Sequence, residues 1–342
     1  MLALLAAAVL VPASADGVLS VENAAGLRAL FSAAAVHAPS LSPAQLGASL
    51  RADVGVDLFA EGREWGLAPR GPRMLVFSAG AVGLSAPVRD AKAAGKALAA
   101  WIAAGDGRAG NVTRGRLLTA SGRGAAALLA AMARPAPLPR DLAAVARGPA
   151  WVWLRLVEPL RAALLSIEAS ATGVVARGLV IASSAVLVGA APAGCEKGIG
   201  CIAAGLGPAG AGALALALDR LGVPPQPPLR SARTVVERLD GIDAGQLAGP
   251  RSLGRALGIT PVFDGPPGAG AGLQAVLDLE KVDAALSRLT PIDALRGADA
   301  AGAYAVHVIY GALLRNAGPL GLFGHAAAQG NAAEVELRLP LR

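Results

Sequence analysis

The sequence predicts an α+β fold of largely antiparallel sheets packed with alanine-rich helices, built from two tandem repeats of strand-helix and hairpin units. A first observation is that residues 83–101 (GLSAPVRDAKAAGKALAAW) are similar to residues 271–289 (AGLQAVLDLEKVDAALSRL). In both stretches a short apolar run ends on an aspartate, Asp90 or Asp278, as in a strand that leads into a capped helix. A second observation is the end of the chain, where two apolar segments flank a turn at residues 329–331, which is typical of a β-hairpin.

The elements of the first half follow from hydrophobic periodicity and helix-start signals. Val18 to Glu22 alternate like a strand, and a helix is predicted from Ala24 to Val36. A second helix is predicted from Ser42 toward Leu50, and a third from Ala91 to Ala104. Val112 to Thr119 are predicted to form one strand, followed by an alanine-rich helix that runs through Met132.

Length and composition bound the architecture. At 342 residues the chain is long enough for two ordinary domains, and we expect repeats at residues 16–194 and 195–342. Hydrophobic residues make up 54% of the chain and aromatic residues only 3%. Alanine and leucine should therefore fill the core, with few large anchors.

The distribution of charge along the chain makes one class of partner unexpected. The net charge of +7 would by itself suit an anionic partner. The 31 basic residues are mostly single arginines, with only four lysines among them, and they form no basic run and no pattern interleaved with aromatic residues. Nucleic-acid binding is therefore not expected.

The first 15 residues predict a secretory signal peptide. Leu2 to Val11 form an uncharged apolar run, and Ala13 and Ala15 place small residues where signal peptidase requires them, just before Asp16. No basic residue precedes the run, and a buried N-terminal helix is the alternative. Export would place the protein in the periplasm or cell envelope of a bacterium, because the arginine-, alanine- and glycine-rich composition is typical of GC-rich bacterial genomes.

The two cysteines are interpreted in the light of export. Cys195 and Cys201 are separated by five residues, in CEKGIGC. Outside the cytoplasm such a pair closes a small disulfide loop, whereas in the cytoplasm it would stay reduced. Two thiols are too few for a zinc site, and the spacing differs from that of Cys-x-x-Cys redox motifs. We therefore expect a structural disulfide.

Two long uncharged segments raise the alternative of a membrane-anchored envelope protein. Residues 178–194 are apolar but interrupted by serines, and residues 198–218 are mostly glycine and alanine with a proline inside. A membrane-spanning helix needs about 20 predominantly apolar residues. Buried strands and a core helix are therefore favoured over a membrane anchor.

Residues 205–210 (GLGPAG) match the pattern of dinucleotide-binding loops. Gly205, Gly207 and Gly210 would let backbone N–H groups approach a pyrophosphate at the start of a helix. No second hydrophobic strand ending in Asp or Glu lies within about 20 residues, as that fold requires. We expect no cofactor, and a nucleotide-cofactor enzyme using this loop stays as an alternative.

No motif predicts catalysis or metal binding. His37, His307 and His325 lie far apart in the sequence without ligand spacing. The sequence contains no Gly-x-Ser-x-Gly, Ser-x-x-Lys or His-Glu-x-x-His pattern. Asp90 and Asp278 are predicted to be helix caps rather than a functional carboxylate pair. No catalytic residue is therefore assigned.

The segments at Gly318 to Leu322 and Leu337 to Leu341 have a Gly-Pro-Leu-x-Leu and Leu-x-Leu-Pro-Leu pattern. In this ending, and in its alanine-rich duplicated body after a signal, the chain resembles uncharacterised exported bacterial proteins of domain-of-unknown-function type. The resemblance implies no catalytic residue and no ligand. The sequence as a whole favours a non-enzymatic extracytoplasmic protein that binds or scaffolds an unknown envelope protein, a peptide or a lipid.

Overall fold

The computed structural model divides the chain into two compact units. The first comprises Met1–Ala35, Ser40–Arg155 and Ala163–Ala169, and the second comprises Val36–Pro39, Leu156–Ala162 and Ser170–Arg342. The structure describes residues 10–22, 24–35, 42–60, 62–138, 140–146, 150–170, 172–188, 200–220, 233–239, 260–264, 272–296, 298–328 and 330–341. Helices and antiparallel sheets in both units confirm the α+β class. The expected repeat boundary at residues 194–195 lies inside the second unit.

The first unit is a mainly antiparallel sheet flanked by helices. Its sheet order is β9-β8-β2-β3-β4-β6-β5, and two short strands, β1 and β7, pair separately. Residues 163–169 of β9 belong to this unit. Its elements are β1 (Leu10–Val11), β2 (Gly17–Val21), α1 (Ala24–Ala35), α2 (Pro43–Val54), β3 (Arg73–Ser78), β4 (Ala81–Pro87), α3 (Ala91–Ala103), β5 (Arg108–Thr113), β6 (Arg116–Gly122), α4 (Ala125–Met132), β7 (Ala136–Pro137), α5 (Arg140–Val145), β8 (Ala150–Arg155) and β9 (Leu160–Ser170).

One face of this sheet carries the main core. Leu75 and Leu84 lie opposite each other on β3 and β4, and both pack in a cluster with Trp101 of α3 and Val54 of α2. The Thr119 hydroxyl, on the same face of β6, donates to the Val54 carbonyl oxygen at 2.7 Å. Helices α2 and α3 therefore pack against this face of the sheet.

The predicted single strand from Val112 to Thr119 is wrong. The structure has two strands, β5 and β6, joined at Arg114 and Gly115, whose φ angles are 49° and 72°. Consecutive left-handed residues make the tight hairpin turn whose twist matches that of the flanking strands. Arginine seldom adopts this conformation, and the sequence therefore gives only a weak turn signal.

The second unit is also an antiparallel sheet with helices. Its sheet order is β13-β12-β11-β14-β15-β16-β10. The final hairpin, β15 with β16, agrees with the sequence prediction, and His325 lies opposite Glu334 in its register. The elements of the unit are β10 (Gly173–Ala182), β11 (Gly200–Leu206), α6 (Pro208–Arg220), β12 (Arg233–Leu239), β13 (Thr260–Asp264), β14 (Leu273–Leu277), α7 (Leu279–Leu286), α8 (Ala298–Asn316), β15 (Leu320–Ala326) and β16 (Ala332–Pro340).

Both predicted aspartate caps are present. The Asp90 carboxylate accepts hydrogen bonds from the backbone N–H groups of Lys92 and Ala93, each at 3.0 Å, and begins α3. The Asp278 carboxylate accepts from the N–H of Lys281 at 3.1 Å and begins α7. These bonds satisfy N–H groups that have no partner inside the helix, so the carboxylates have a structural role.

The apolar segments that were considered as membrane anchors form strands and a helix where the structure describes them. Residues 178–182 belong to β10, residues 200–206 form β11, and residues 208–220 form α6. Among the described helices, none combines the length and the hydropathy that crossing a membrane requires.

One carboxylate of the second unit gives a pH-dependent prediction. Glu336 on β16 lies opposite Arg177 on β10, whose Nε donates to Glu336 Oε2 at 2.5 Å, and it also pairs with Arg338. The hydrogen bond from Arg177 is the main reason that the pKa of Glu336 is lowered from its ordinary value of 4.5. Because the folded-state pKa is lower than the unfolded one, the stabilisation is present at neutral pH and is lost as pH falls through the folded-state value.

We therefore expect Glu336→Gln to lower the free energy of unfolding at neutral pH by a few tenths of a kcal/mol, since the arginines are exposed to solvent. The difference from the wild type should shrink as pH falls below about 4. Denaturant titrations of both proteins at several pH values measure this. A difference that does not change with pH would contradict the assignment.

Candidate ligand-binding site

The second face of the first unit's sheet presents a row of side chains from five neighbouring strands. In the pairing register, Ser20 on β2 lies opposite Met74 on β3 and Trp151 on β8. Met74 lies opposite Ser85 on β4, which lies opposite Leu118 on β6. Because residues directly opposite each other point to the same face of a sheet, the five side chains form one continuous floor.

A pocket of about 360 Å³ lies on this floor. At one end α4 covers the sheet: a Cβ on Gly83 of β4 would lie 2.6 Å from the Met132 sulfur and 3.2 Å from Leu128 Cδ2. The absence of a side chain at Gly83 thus lets the helix approach closely. The walls are completed by Leu10, Pro12, Glu22, Pro72, Val76, Thr113, Arg114, Arg116, Met132, Ala133 and Pro135.

The pocket lining includes several well-buried apolar residues. Val76, Leu118, Met132 and Trp151 are each at most 6% exposed, and they belong to strands or to α4. Met132 adds a flexible thioether, which adapts to ligands of different shape. Concave, largely preformed pockets with an apolar lining and a few polar groups are the usual sites of small-molecule binding.

Arg116 is the main polar group of the pocket. Its Nε donates to Ser85 Oγ at 2.8 Å, and its Nη2 donates to the carbonyl oxygens of Pro72 and Ser85 at 3.0 and 3.2 Å. Burial lowers the pKa of the Arg116 guanidinium, because desolvation disfavours the charged form. Its Nη1 has no hydrogen-bond partner within the part of the chain that the structure describes.

Two further charged residues lie at the pocket, and both are exposed to solvent. Arg114 is the left-handed residue of the β5–β6 turn, and Glu22 follows the end of β2. Neither forms an ion pair with another described residue. The charged groups of the described lining are therefore two arginines and one glutamate.

Ser20 is an unusual residue in the floor. It is fully buried, and its Oγ has no hydrogen-bond partner in the described chain. Leaving a buried hydroxyl without a partner costs about 1–3 kcal/mol relative to a paired one. The floor thus retains an unpaired hydroxyl at a position where alanine would avoid this cost.

A second polar cluster lies between α7 and α8 in the other unit. Asp283, whose side chain is 4% exposed, receives a hydrogen bond from Arg315 Nη1 at 2.7 Å and contacts His307 Nδ1 at 2.8 Å. Gly311 of α8 gives the carboxylate room, since a Cβ there would lie 2.8 Å from Asp283 Oδ1. Both carboxylate oxygens are engaged, and the cluster joins two helices.

We expect Asp283→Ala to lower the free energy of unfolding by about 2 kcal/mol. Removing one partner of a fully buried ion pair costs about 3–5 kcal/mol, but His307 and Arg315 are 23% and 55% exposed and can reach water. Asp283→Asn keeps the shape without the charge and should cost less. Denaturant titration measures both, and an unchanged Asp283→Ala variant would show that the cluster does not hold the helices together.

The three glycines considered as an alternative nucleotide-binding loop lie close to the chain's own backbone. The Gly207 N–H donates to the Val186 carbonyl oxygen at 3.0 Å, and the Ala209 N–H donates to that of Ala185 at 3.0 Å. A Cβ on Gly210 would lie 2.1 Å from the Val186 oxygen. The Gly205 N–H donates to Gly272 at 2.8 Å within the sheet. Gly207 and Gly210 thus allow the start of α6 to lie close to the backbone of residues 185–186.

The remaining predicted residues are only partly described. Cys195 lies outside the described residues, and Cys201 lies on β11, so the disulfide remains a prediction. His37 is also outside them. His307 and His325 both have a carboxylate partner, Asp283 and Glu334 respectively, that their sequence neighbours do not reveal. The pocket arginines were missed because the β5–β6 turn was missed.

The N-terminal residues contribute to the pocket. Leu10 and Pro12 line it, β1 pairs with β7, and Ala15 is fully buried. Cleavage after Ala15, as the signal-peptide prediction has it, would remove Leu10 and Pro12 from the wall, whereas the floor residues, from Ser20 to Trp151, would stay in the chain.

No protein-family model matches the chain, and no curated protein matches it. Two solved structures of TP0453, crystal forms I and IV, are similar to parts of it, with TM-scores of 0.29 and 0.30 and sequence identities of 12% and 13%. The similarity covers 51% and 52% of this chain and 79% and 81% of those chains. A likeness at this level gives no basis for transferring a function or a site.

Proposed function

We propose that the protein is a non-enzymatic binding protein that holds a small apolar molecule in the pocket of its first unit. The observation that carries the proposal is the floor of Ser20, Met74, Ser85, Leu118 and Trp151, which five strands hold in register beneath a cavity of about 360 Å³. An apolar cavity that strands and a helix hold open needs little rearrangement to bind.

The size of the cavity sets the size of the ligand. A group the size of a water molecule occupies about 30 Å³, so the cavity takes roughly a dozen methylene-sized groups. A linear chain of about ten carbons fits this volume. Burying each methylene contributes about 0.8 kcal/mol, so ten contribute about 8 kcal/mol. This sum alone corresponds to a dissociation constant of about 1 μM. Because association has a cost of several kcal/mol, we expect a dissociation constant between about micromolar and millimolar.

The polar groups of the pocket support retention of a ligand rather than catalysis. The Ser85 hydroxyl accepts a hydrogen bond from Arg116, which is a cation and not a base. A serine nucleophile is activated by a neighbouring base. Ser85 is thus placed to hold Arg116, and the pocket supplies binding surface.

A neutral dye tests this function. N-phenyl-1-naphthylamine, whose fluorescence rises in apolar surroundings, should bind the full chain saturably with one site, and decanol should displace it. Absence of a saturable signal up to the solubility limit of the dye would contradict the proposal. Leu216→Ala, a substitution of an exposed leucine on α6 in the other unit, serves as a control that should bind the dye as the wild type does.

We propose that the protein works outside the cytoplasm, in the periplasm or envelope. The support is the apolar run before Ala15 and the cysteine spacing of a small disulfide loop. Fractionation of bacterial cells that express the full gene, with N-terminal sequencing of the product, tests this. A cytoplasmic product that starts at Met1 would contradict it.

The tandem duplication is proposed as the origin of the two α+β segments. Its support is that in each unit a strand, β4 or β14, is followed by a helix that begins with an aspartate cap, Asp90 or Asp278. The neighbours of the two strands differ, since β4 lies between β3 and β6 and β14 lies between β11 and β15. The test is therefore an experimental structure: superposition of residues 83–101 on residues 271–289 would support the proposal, and failure of these stretches to superpose would contradict it.

A further inference from the structure

We infer that the ligand of this pocket is an amphiphile with an anionic head, a carboxylate or a phosphate, which the guanidinium of Arg116 binds while the chain lies on the apolar floor. The inference rests on the proposed binding function. It adds the chemistry of the head group and the residues that select it.

Arg116 is held ready for such a contact. Ser85 and the Pro72 carbonyl fix its Nε and Nη2, so the guanidinium plane is oriented before a ligand arrives. Its Nη1 has no partner among the described residues, and Arg116 itself lines the pocket. Arginine binds carboxylate and phosphate with strong, charge-assisted hydrogen bonds. A half-buried cation that forms no ion pair with any described residue is the group that an anionic head would neutralise.

The other charges of the pocket set the strength of this preference. Arg114 adds a second cation on the same turn, two residues before Arg116, and Glu22 adds one anion. Glu22 is exposed, so solvent screens its effect on the head group. Removing its charge should strengthen the binding of an anion, and removing the charge of Arg114 should weaken it.

Decanoate and decanol distinguish a pocket that recognises an anionic head group from a pocket that binds only an apolar chain. Their apolar chains are matched, but an apolar pocket alone would favour decanol, because the ionised carboxylate of decanoate loses hydration on entering it. A preference for decanoate therefore requires a cation at the head-group position. Decyltrimethylammonium carries the opposite charge and should bind the least well.

The experiment measures displacement of N-phenyl-1-naphthylamine from the full chain at neutral pH by decanoate, decyl phosphate, decanol and decyltrimethylammonium. We expect decanoate or decyl phosphate to bind at least about tenfold more tightly than decanol, as hydrogen bonds to a charged group allow. Arg116→Gln should abolish this preference while decanol still binds. Arg114→Gln should reduce it about two- to threefold, and Glu22→Gln should raise it slightly, as expected for exposed charges.

The outcomes distinguish the inference from the function on which it rests. If the dye and decanol bind but decanoate and decyl phosphate bind no better than decanol in the wild type, the inference is overturned and the apolar pocket stands. If neither the dye nor any of the four ligands binds, both fall. Tighter binding of decyl phosphate than decanoate identifies a phosphate-headed lipid, and the reverse identifies a fatty acid. The comparison of decanoate and decyl phosphate with decanol in the wild-type protein tests the inference even if Arg116→Gln does not fold.

Discussion

Gly210→Ala should lower the free energy of unfolding by roughly 3 kcal/mol or more. In most helices, replacing glycine by alanine stabilises by about 1 kcal/mol. Here the added Cβ would lie 2.1 Å from the Val186 carbonyl oxygen. The helix must then move away from the 185–186 segment, at the cost of overpacking and of the hydrogen bonds from Gly207 and Ala209.

A matched helical glycine provides the control. Gly302 lies in α8 of the same unit, and a Cβ there meets nothing within 4 Å. Gly302→Ala should leave stability unchanged or raise it by up to about 1 kcal/mol. Denaturant titration measures both variants. Equal effects of the two substitutions would mean that α6 does not contact residues 185–186 closely.

Ala133→Trp should weaken ligand binding at least about tenfold while leaving the protein folded. Ala133 follows the last turn of α4, is exposed, and lines the pocket. An indole at this position can occupy much of a cavity of about 360 Å³, because tryptophan is the largest side chain and buries about 250 Å² when it is covered. Direct titration with the neutral dye, which binds in the same pocket, measures the loss.

Ala130→Trp places the same side chain on α4 at an exposed position that does not line the pocket. Its affinity should match that of the wild type, and both variants should have wild-type circular dichroism. If Ala130→Trp weakens binding as strongly as Ala133→Trp, the ligand binds elsewhere or the helix tolerates no tryptophan. If neither variant changes binding, the pocket is not the site.

Local sequence signals were sufficient to predict helices and hairpins where the chain contains residues that begin or end those elements. The aspartate caps at Asp90 and Asp278 and the final hairpin follow from hydrogen-bonding side chains and strand alternation. The turn at Arg114 could not be predicted in this way, because its left-handed conformation is one that glycine or asparagine usually adopts. The local rule failed at a position that brings two arginines to the pocket.

The pocket itself could not be predicted from sequence patterns. Ser20, Ser85 and Trp151 lie far apart in the chain and become neighbours only through strand order and register. The pairing of Asp283 with His307 and Arg315 could not be predicted either, because these residues also lie far apart in the sequence. The glycines of residues 205–210 show the converse: a motif typical of cofactor loops is explained by the close approach of residues 185–186.

Photo-crosslinking of the full chain with a diazirine-bearing decanoate tests the location of the ligand most directly. Modified peptides should contain residues that line the pocket, above all Met74, Leu118 and Met132, and an excess of unlabelled decanoate should suppress the modification. Labelling spread over both units, or unaffected by competitor, would contradict the assignment of the first unit's apolar cavity as a binding site.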